Sequence, residues 1–256
     1  MLVNPVRYCV LLKAQDSLKP TELARVLAAA RKVPMMDMLN AAKACWGILE
    51  EDLPEAEARQ WAGRLESAGL AAVAVPRGLL EDLPEAATAA AESWARVVWT
   101  RVALVSASAI NQTSSKTVIT KEGPDIGQKA MKLGIMMATG LPINVGPQER
   151  EVARTVETSD LLFYLDIVLK GPDSRLRVDA QAFDFSVLGE AMTYSVVTNF
   201  RALVEAAAAK APGALLGRGT RILLSGKPVR EMGYASLKDV ERESRWLLTL
   251  RELKLA

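Results

Sequence analysis

No histidine occurs among the 256 residues of this chain. Its absence excludes the Ser-His-Asp and Cys-His catalytic arrangements, the usual proton shuttle near neutral pH, and most zinc sites. Cysteine is almost as scarce. Cys9 and Cys45 are flanked by apolar residues and are not spaced as a metal clip, so both are expected as reduced core thiols rather than as a disulfide framework. Neither charge sign dominates: 32 basic residues face 30 acidic ones, and a net +2 offers no general attraction to nucleic acid or an anionic membrane. Long apolar runs are missing too. The stretch from Leu133 to Gln148 is interrupted by Gly140, Pro142 and Gly146, so no integral membrane association is expected. With no secretory pattern at the amino terminus, the expected location is the cytoplasm. Neither a cofactor nor a metal is expected.

What is present reads as a globular chain, 50% hydrophobic and 24% charged. Its length lies between one and two domains. Charge divides it in three: residues 1–78 and 99–256 are balanced or basic, whereas 79–98 hold one basic residue against four acidic ones. That middle segment is alanine-rich and carries Leu83, Ala87, Ala90, Trp94 and Val98 at roughly helical spacing, which predicts an acidic helical connector. The hexapeptide Glu-Asp-Leu-Pro-Glu-Ala occurs at 51–56 and again at 81–86. Aspartate ahead of proline and glutamate suits the open N–H groups and positive dipole of a helix start, so both copies are read as helix openings.

In the first segment Tyr8 to Leu12 has the length of a strand. Leu23, Val26, Leu27 and Ala30 then mark a helix that Pro34 stops, Met35 to Trp46 a second helix, and Ala58 to Leu65 a third, closed by Gly69. A short strand near Ile48 and another over Ala71 to Val75 complete the set, and residues 1–78 are expected to fold alone. The runs Tyr8-Cys9-Val10-Leu11-Leu12, Lys19-Pro20-Thr21-Glu22-Leu23 and Ala56 through Gly69-Leu70 resemble the fold shared by the adaptor of the bacterial Clp protease and the carboxy-terminal domain of the ribosomal stalk protein. The resemblance implies a small docking module. The residues those families use for recognition do not carry over: Lys13-Ala14-Gln15-Asp16 stands where the Clp adaptor has an Asn-Asp-Asp run, and Val33-Pro34-Met35-Met36-Asp37 lacks the stalk protein's glycines and lysines.

Residues 99–256 read as a β-rich α+β domain, similar in element order to pleckstrin-homology-like folds. Strands are expected at Trp99–Val105, Lys116–Thr120, Leu161–Leu169, Arg175–Phe185 and Thr220–Leu224. Helices are expected at Thr198–Ala211 and, behind a Ser-x-x-Asp cap, at Ser236–Leu253. Residues 170–174 supply the turn of a hairpin whose register sets Asp166 opposite Val178. The whole is a two-domain α+β protein.

Several groups invite a chemical reading. Asp166 lies inside an apolar run, yet Arg175 and Arg177 on the facing strand make a structural ion pair the simpler account. Ser114-Ser115-Lys116 reads as a polar turn, since neighbours on a strand point to opposite faces and form no dyad. Met35, Met36 and Met38 offer an adaptable partner-binding surface, and Met131, Met136 and Met137 a later cluster. Residues 206–230 contain Lys210, Arg218, Arg221, Lys227 and Arg230, four glycines and no acid. Converging N–H groups with guanidinium side chains suit an anion. The favoured function is a non-enzymatic intracellular adaptor or scaffold that binds another protein. The alternative is a binder of an anionic ligand or nucleic acid through 206–230, and the third reading is a carboxylate- or metal-dependent enzyme. Oligomeric state is left open.

Overall fold

Proline placement and apolar spacing build the first layer. In the computed structural model, which describes residues 6–14, 19–122, 150–171 and 175–255, with side chains outside 113–122 and 150–159, β1 (Tyr8–Leu12) runs through the centre of a three-stranded sheet. Its neighbours β2 (Ile48–Leu53) and β3 (Ala72–Pro76) both pair with it antiparallel. Helix α1 (Pro20–Arg31) starts on its proline and ends where Lys32 turns left-handed. Helix α2 (Met35–Ala44) follows Pro34, and α3 (Glu55–Ser67) follows Pro54. These helices turn Leu23, Leu27, Ala58, Trp61 and Leu65 into the core. The strand–helix–helix–strand–helix–strand order is as predicted.

The second copy of the hexapeptide behaves differently from the first. Instead of a connecting helix, the chain after Leu80 runs to a three-residue strand, β4 (Ala86–Thr88), and only a short helix, α4 (Ala91–Ala95), follows. The reason is tertiary. Ala86 to Thr88 pair in parallel with Arg175 to Arg177, the Glu81 N–H donates to the Thr249 hydroxyl, and Arg245 donates to the Glu81 carbonyl.

The second sheet is ordered β4-β7-β6-β5-β8, from β5 (Val102–Glu122), β6 (Arg150–Leu169), β7 (Arg175–Asp179) and β8 (Leu215–Leu216). Strand β5 joins two predicted strands into one, so Ser114-Ser115-Lys116 lies in a strand rather than a turn. β7 ends at Asp179, earlier than predicted, and a 3-10 segment covers Phe185–Ala191. β6 and β7 pair antiparallel, but with Asp166 opposite Arg177 and Leu165 opposite Val178, one residue from the predicted register. This register buries Leu165, Ile167 and Val178 completely and gives Asp166 and its arginines the other face. Helix α5 (Val196–Lys210) is as predicted. Arg218–Leu224, by contrast, is a helix, α6, where a strand was expected over Thr220–Leu224. The closing helix α7 (Leu237–Glu252) carries the expected Ser236/Asp239 cap. Residues 172–174 of the hairpin turn, the run Leu133–Gln148 and the methionines at 131, 136 and 137 lie outside the described residues.

The molecule is thus an α+β protein. Its compact units are residues 1–110 with 162–256, and separately Asn111–Leu161, which contains further stretches of β5 and β6. The expected boundaries after 78 and 98 both fall inside the first unit. One apolar cluster there combines Leu11, Leu12, Leu23 and Leu65 with Leu104, Val168, Trp246 and Leu250. Trp246 is fully buried, and its indole N–H donates to the Leu12 carbonyl at 2.7 Å. Gly47, at φ +86, lies flat on that indole; a Cβ there would stand 2.0 Å from the ring.

Candidate functional site

Three constellations hold the residues singled out by sequence. In the basic segment, glycine serves close packing. A Cβ on Gly219 would sit 1.9 Å from the Ala107 carbonyl oxygen, so only glycine lets the start of α6 approach β5. Thr220 locks the contact by donating to the Val105 carbonyl and accepting from the Ala107 N–H, each at 2.9 Å. An anion does sit against this glycine-rich turn, and the chain itself supplies it. The Glu243 carboxylate, fully buried, accepts from the Arg218 N–H at 3.0 Å and from the Tyr234 hydroxyl. Tyr234 in turn accepts from the Gly219 N–H and stacks on Trp46, with ring centroids 4.6 Å apart.

Burial raises the Glu243 pKa above that of an ordinary carboxyl, against the opposing pull of the Tyr234 and Arg218 hydrogen bonds and the charges of Arg221 and Arg218. Burial and the neighbouring Glu243 push Tyr234 well above its ordinary value. The Arg218 guanidinium donates to the Glu231 carbonyl, and Lys210 lies over the Trp99 ring at 5.3 Å. Lys227 and Arg230 are exposed. Arg221, whose charge acts on Glu243 together with that of Arg218, has a buried Nε with no partner among the described residues, so the five basic residues meet different surroundings.

The second constellation is the hairpin ion cluster. Asp166, 1% exposed, accepts from Nε and Nη2 of Arg175 at 3.2 and 2.6 Å and from Nε and Nη2 of Arg177 at 2.8 and 2.9 Å. Both Nη2 atoms also donate to Glu241 of α7, at 3.0 and 3.2 Å. Burial works against the Arg177 charge, but its bonds to Asp166 and then Glu241 prevail and raise its pKa. Two carboxylates here meet two guanidinium groups, and the cluster joins the hairpin to α7. The arrangement agrees with the structural ion pair expected for Asp166.

The third concerns exposed apolar residues. Of the methionines on α2, Met35 and Met38 pack on the core and Met36 alone is exposed. Sequence reasoning missed the exposed apolar residues at the start of α5, where Tyr194 is fully exposed and Met192 and Val197 are half-exposed. The backbone between them is fixed. Asn199, buried on α5, accepts from the Thr193 N–H at 2.7 Å and donates to the Thr193 carbonyl at 2.8 Å, and Ser195 caps the helix by accepting from the Thr198 N–H. The run Met-Thr-Tyr-Ser-Val-Val carries no charge and no helical apolar period, and that was the available signal.

Cys9 and Cys45 are buried and unpaired, and burial raises both thiol pKa values, which keeps them poor nucleophiles. Among the described residues no group of three His, Cys, Asp or Glu is placed to hold a metal ion. Nor is any helix among them long and apolar enough to cross a membrane. Comparison with protein-family models, with curated proteins and with solved structures returns no match.

Proposed function

We propose that this protein is a non-enzymatic intracellular adaptor whose principal contact with another protein is the segment Met192–Val197. The observation that carries this reading is a fully exposed tyrosine, flanked by exposed methionine and valine, on a backbone held by Asn199. Aromatic anchors contribute disproportionately to protein interfaces. A loop already held in one conformation loses little entropy on binding, so its apolar area converts more fully into affinity. The resemblance of residues 8–70 to docking modules supports the same class of function, with Met36 as a further exposed contact. Tagged wild-type protein should capture a partner that Tyr194→Ser fails to capture, with the melting temperature unchanged because Tyr194 touches no core. Identical capture by both proteins would reject the assignment of this segment.

A further inference from the structure

The arginines of the ion cluster also form the wall of a cleft of 720 Å³, together with Arg77 after β3 and Arg245 on α7. Arg175 and Arg177 spend only their Nε and Nη2 atoms on Asp166 and Glu241. Among the described residues their Nη1 atoms have no hydrogen-bond partner, and the side chain is 17% exposed in Arg177 and 4% in Arg175. Buried Asp166 fixes the planes of these groups, and two donors two residues apart on one strand face lie side by side. Also in the lining, Arg245 pairs with Asp82, which is 91% exposed, and Arg77 pairs with half-exposed Asp52. Such solvated pairs are weak and exchange readily for a better acceptor.

We infer that this cleft binds a small ligand bearing phosphate or carboxylate groups. Nη1 of Arg175 and Arg177 and the guanidinium groups of Arg77 and Arg245 are its contacts, and Asp166 and Glu241 are positioning residues. The lining carries four guanidinium groups against the carboxylates of Asp82, Glu85 and Glu241. Of these, Glu241 is tied to the cluster, while Asp82 and Glu85 are exposed and free to swing aside. Guanidinium groups held at fixed angles match the paired oxygens of either anion. The volume suits a molecule carrying more than one anionic group rather than a lone ion.

The test titrates the full-length protein by calorimetry with pyrophosphate and with citrate at low salt. Saturable binding of at least one probe is expected. The Arg77→Gln/Arg245→Gln double variant, which also gives up the Arg245 bond to the Glu81 carbonyl, should bind that probe about tenfold more weakly or worse, and Arg77→Gln alone, which keeps that bond, should weaken it as well. Asp82→Asn, which removes a competing acceptor, should tighten it. Preference for pyrophosphate assigns a phosphate ligand, and preference for citrate a carboxylate one. Absence of saturable binding for both probes, or equal affinity in wild type and double variant with an unchanged circular dichroism spectrum, overturns the inference.

Discussion

Glu243 occupies the position an external anion would take at a glycine- and arginine-rich turn, and its environment leaves a pH signature. Burial makes it harder to ionise in the folded chain than in the unfolded one. Its contribution to stability is therefore complete below the unfolded glutamate value of about 4.3 and is lost as pH rises through the higher folded value. Glu243→Gln has no proton to lose there. The variant's stability relative to wild type should climb across that window, whatever constant offset the changed hydrogen bonds introduce. Melting temperatures of the two proteins measured from about pH 4 to about pH 8 check this, and a difference that does not vary with pH would show that Glu243 does not titrate there.

At the scale of elements, the hairpin β6–β7 and helix α7 are held by charge taken out of water. A buried ion cluster contributes less net stability than its short bonds suggest, since two charges lose hydration for each pair formed. What it supplies is register. A slip of one residue would send Asp166 to the apolar face and leave Arg175, 4% exposed, without its carboxylate. Asp166→Asn is expected to cost about 3–5 kcal/mol because Arg175 stays buried while its buried counter-charge is gone and only the more exposed Glu241 remains. Urea denaturation measures the loss, and a change under about 0.5 kcal/mol would mean that the cluster is relaxed by water. The two hexapeptide copies show the other face of element formation. At 51–56 the sequence leads into α3, but at 81–86 the edge of β7 and the side chains of α7 claim the backbone first.

For the molecule as a whole, α7 completes the amino-terminal layer. Arg242 donates to the carbonyls of Cys45 and Ile48, Trp246 fills the space above Gly47 and Leu12, and the same helix reaches the second sheet through Arg251 on the Ala103 carbonyl. A fragment of residues 1–78 would present that apolar surface to water. It should show no cooperative urea transition under conditions where the full chain shows one. A cooperative transition in the fragment would establish 1–78 as an independent domain after all.

By itself the sequence determined most helices, the strands β1 to β3, the pairing of β6 with β7, the buried cysteines and the partnership of Asp166 with Arg175 and Arg177. Those features rest on apolar period, proline and glycine punctuation and nearby charge, all readable within a few turns of chain. Tertiary structure alone decided the rest. Glycines at 217 and 219 look the same in sequence whether they wrap an anion or admit a neighbouring strand, and only the distance from Gly219 to Ala107 tells them apart. Arg218 meets Glu243 from 25 residues away and Arg245 meets Asp82 from 163 away, separations at which no local pattern carries information. Tyr194 carries only a weak sign of exposure in the sequence, the missing apolar period of 192–197, because an aromatic residue beside valines is ordinarily core. Its position depends on Asn199 turning the backbone outward.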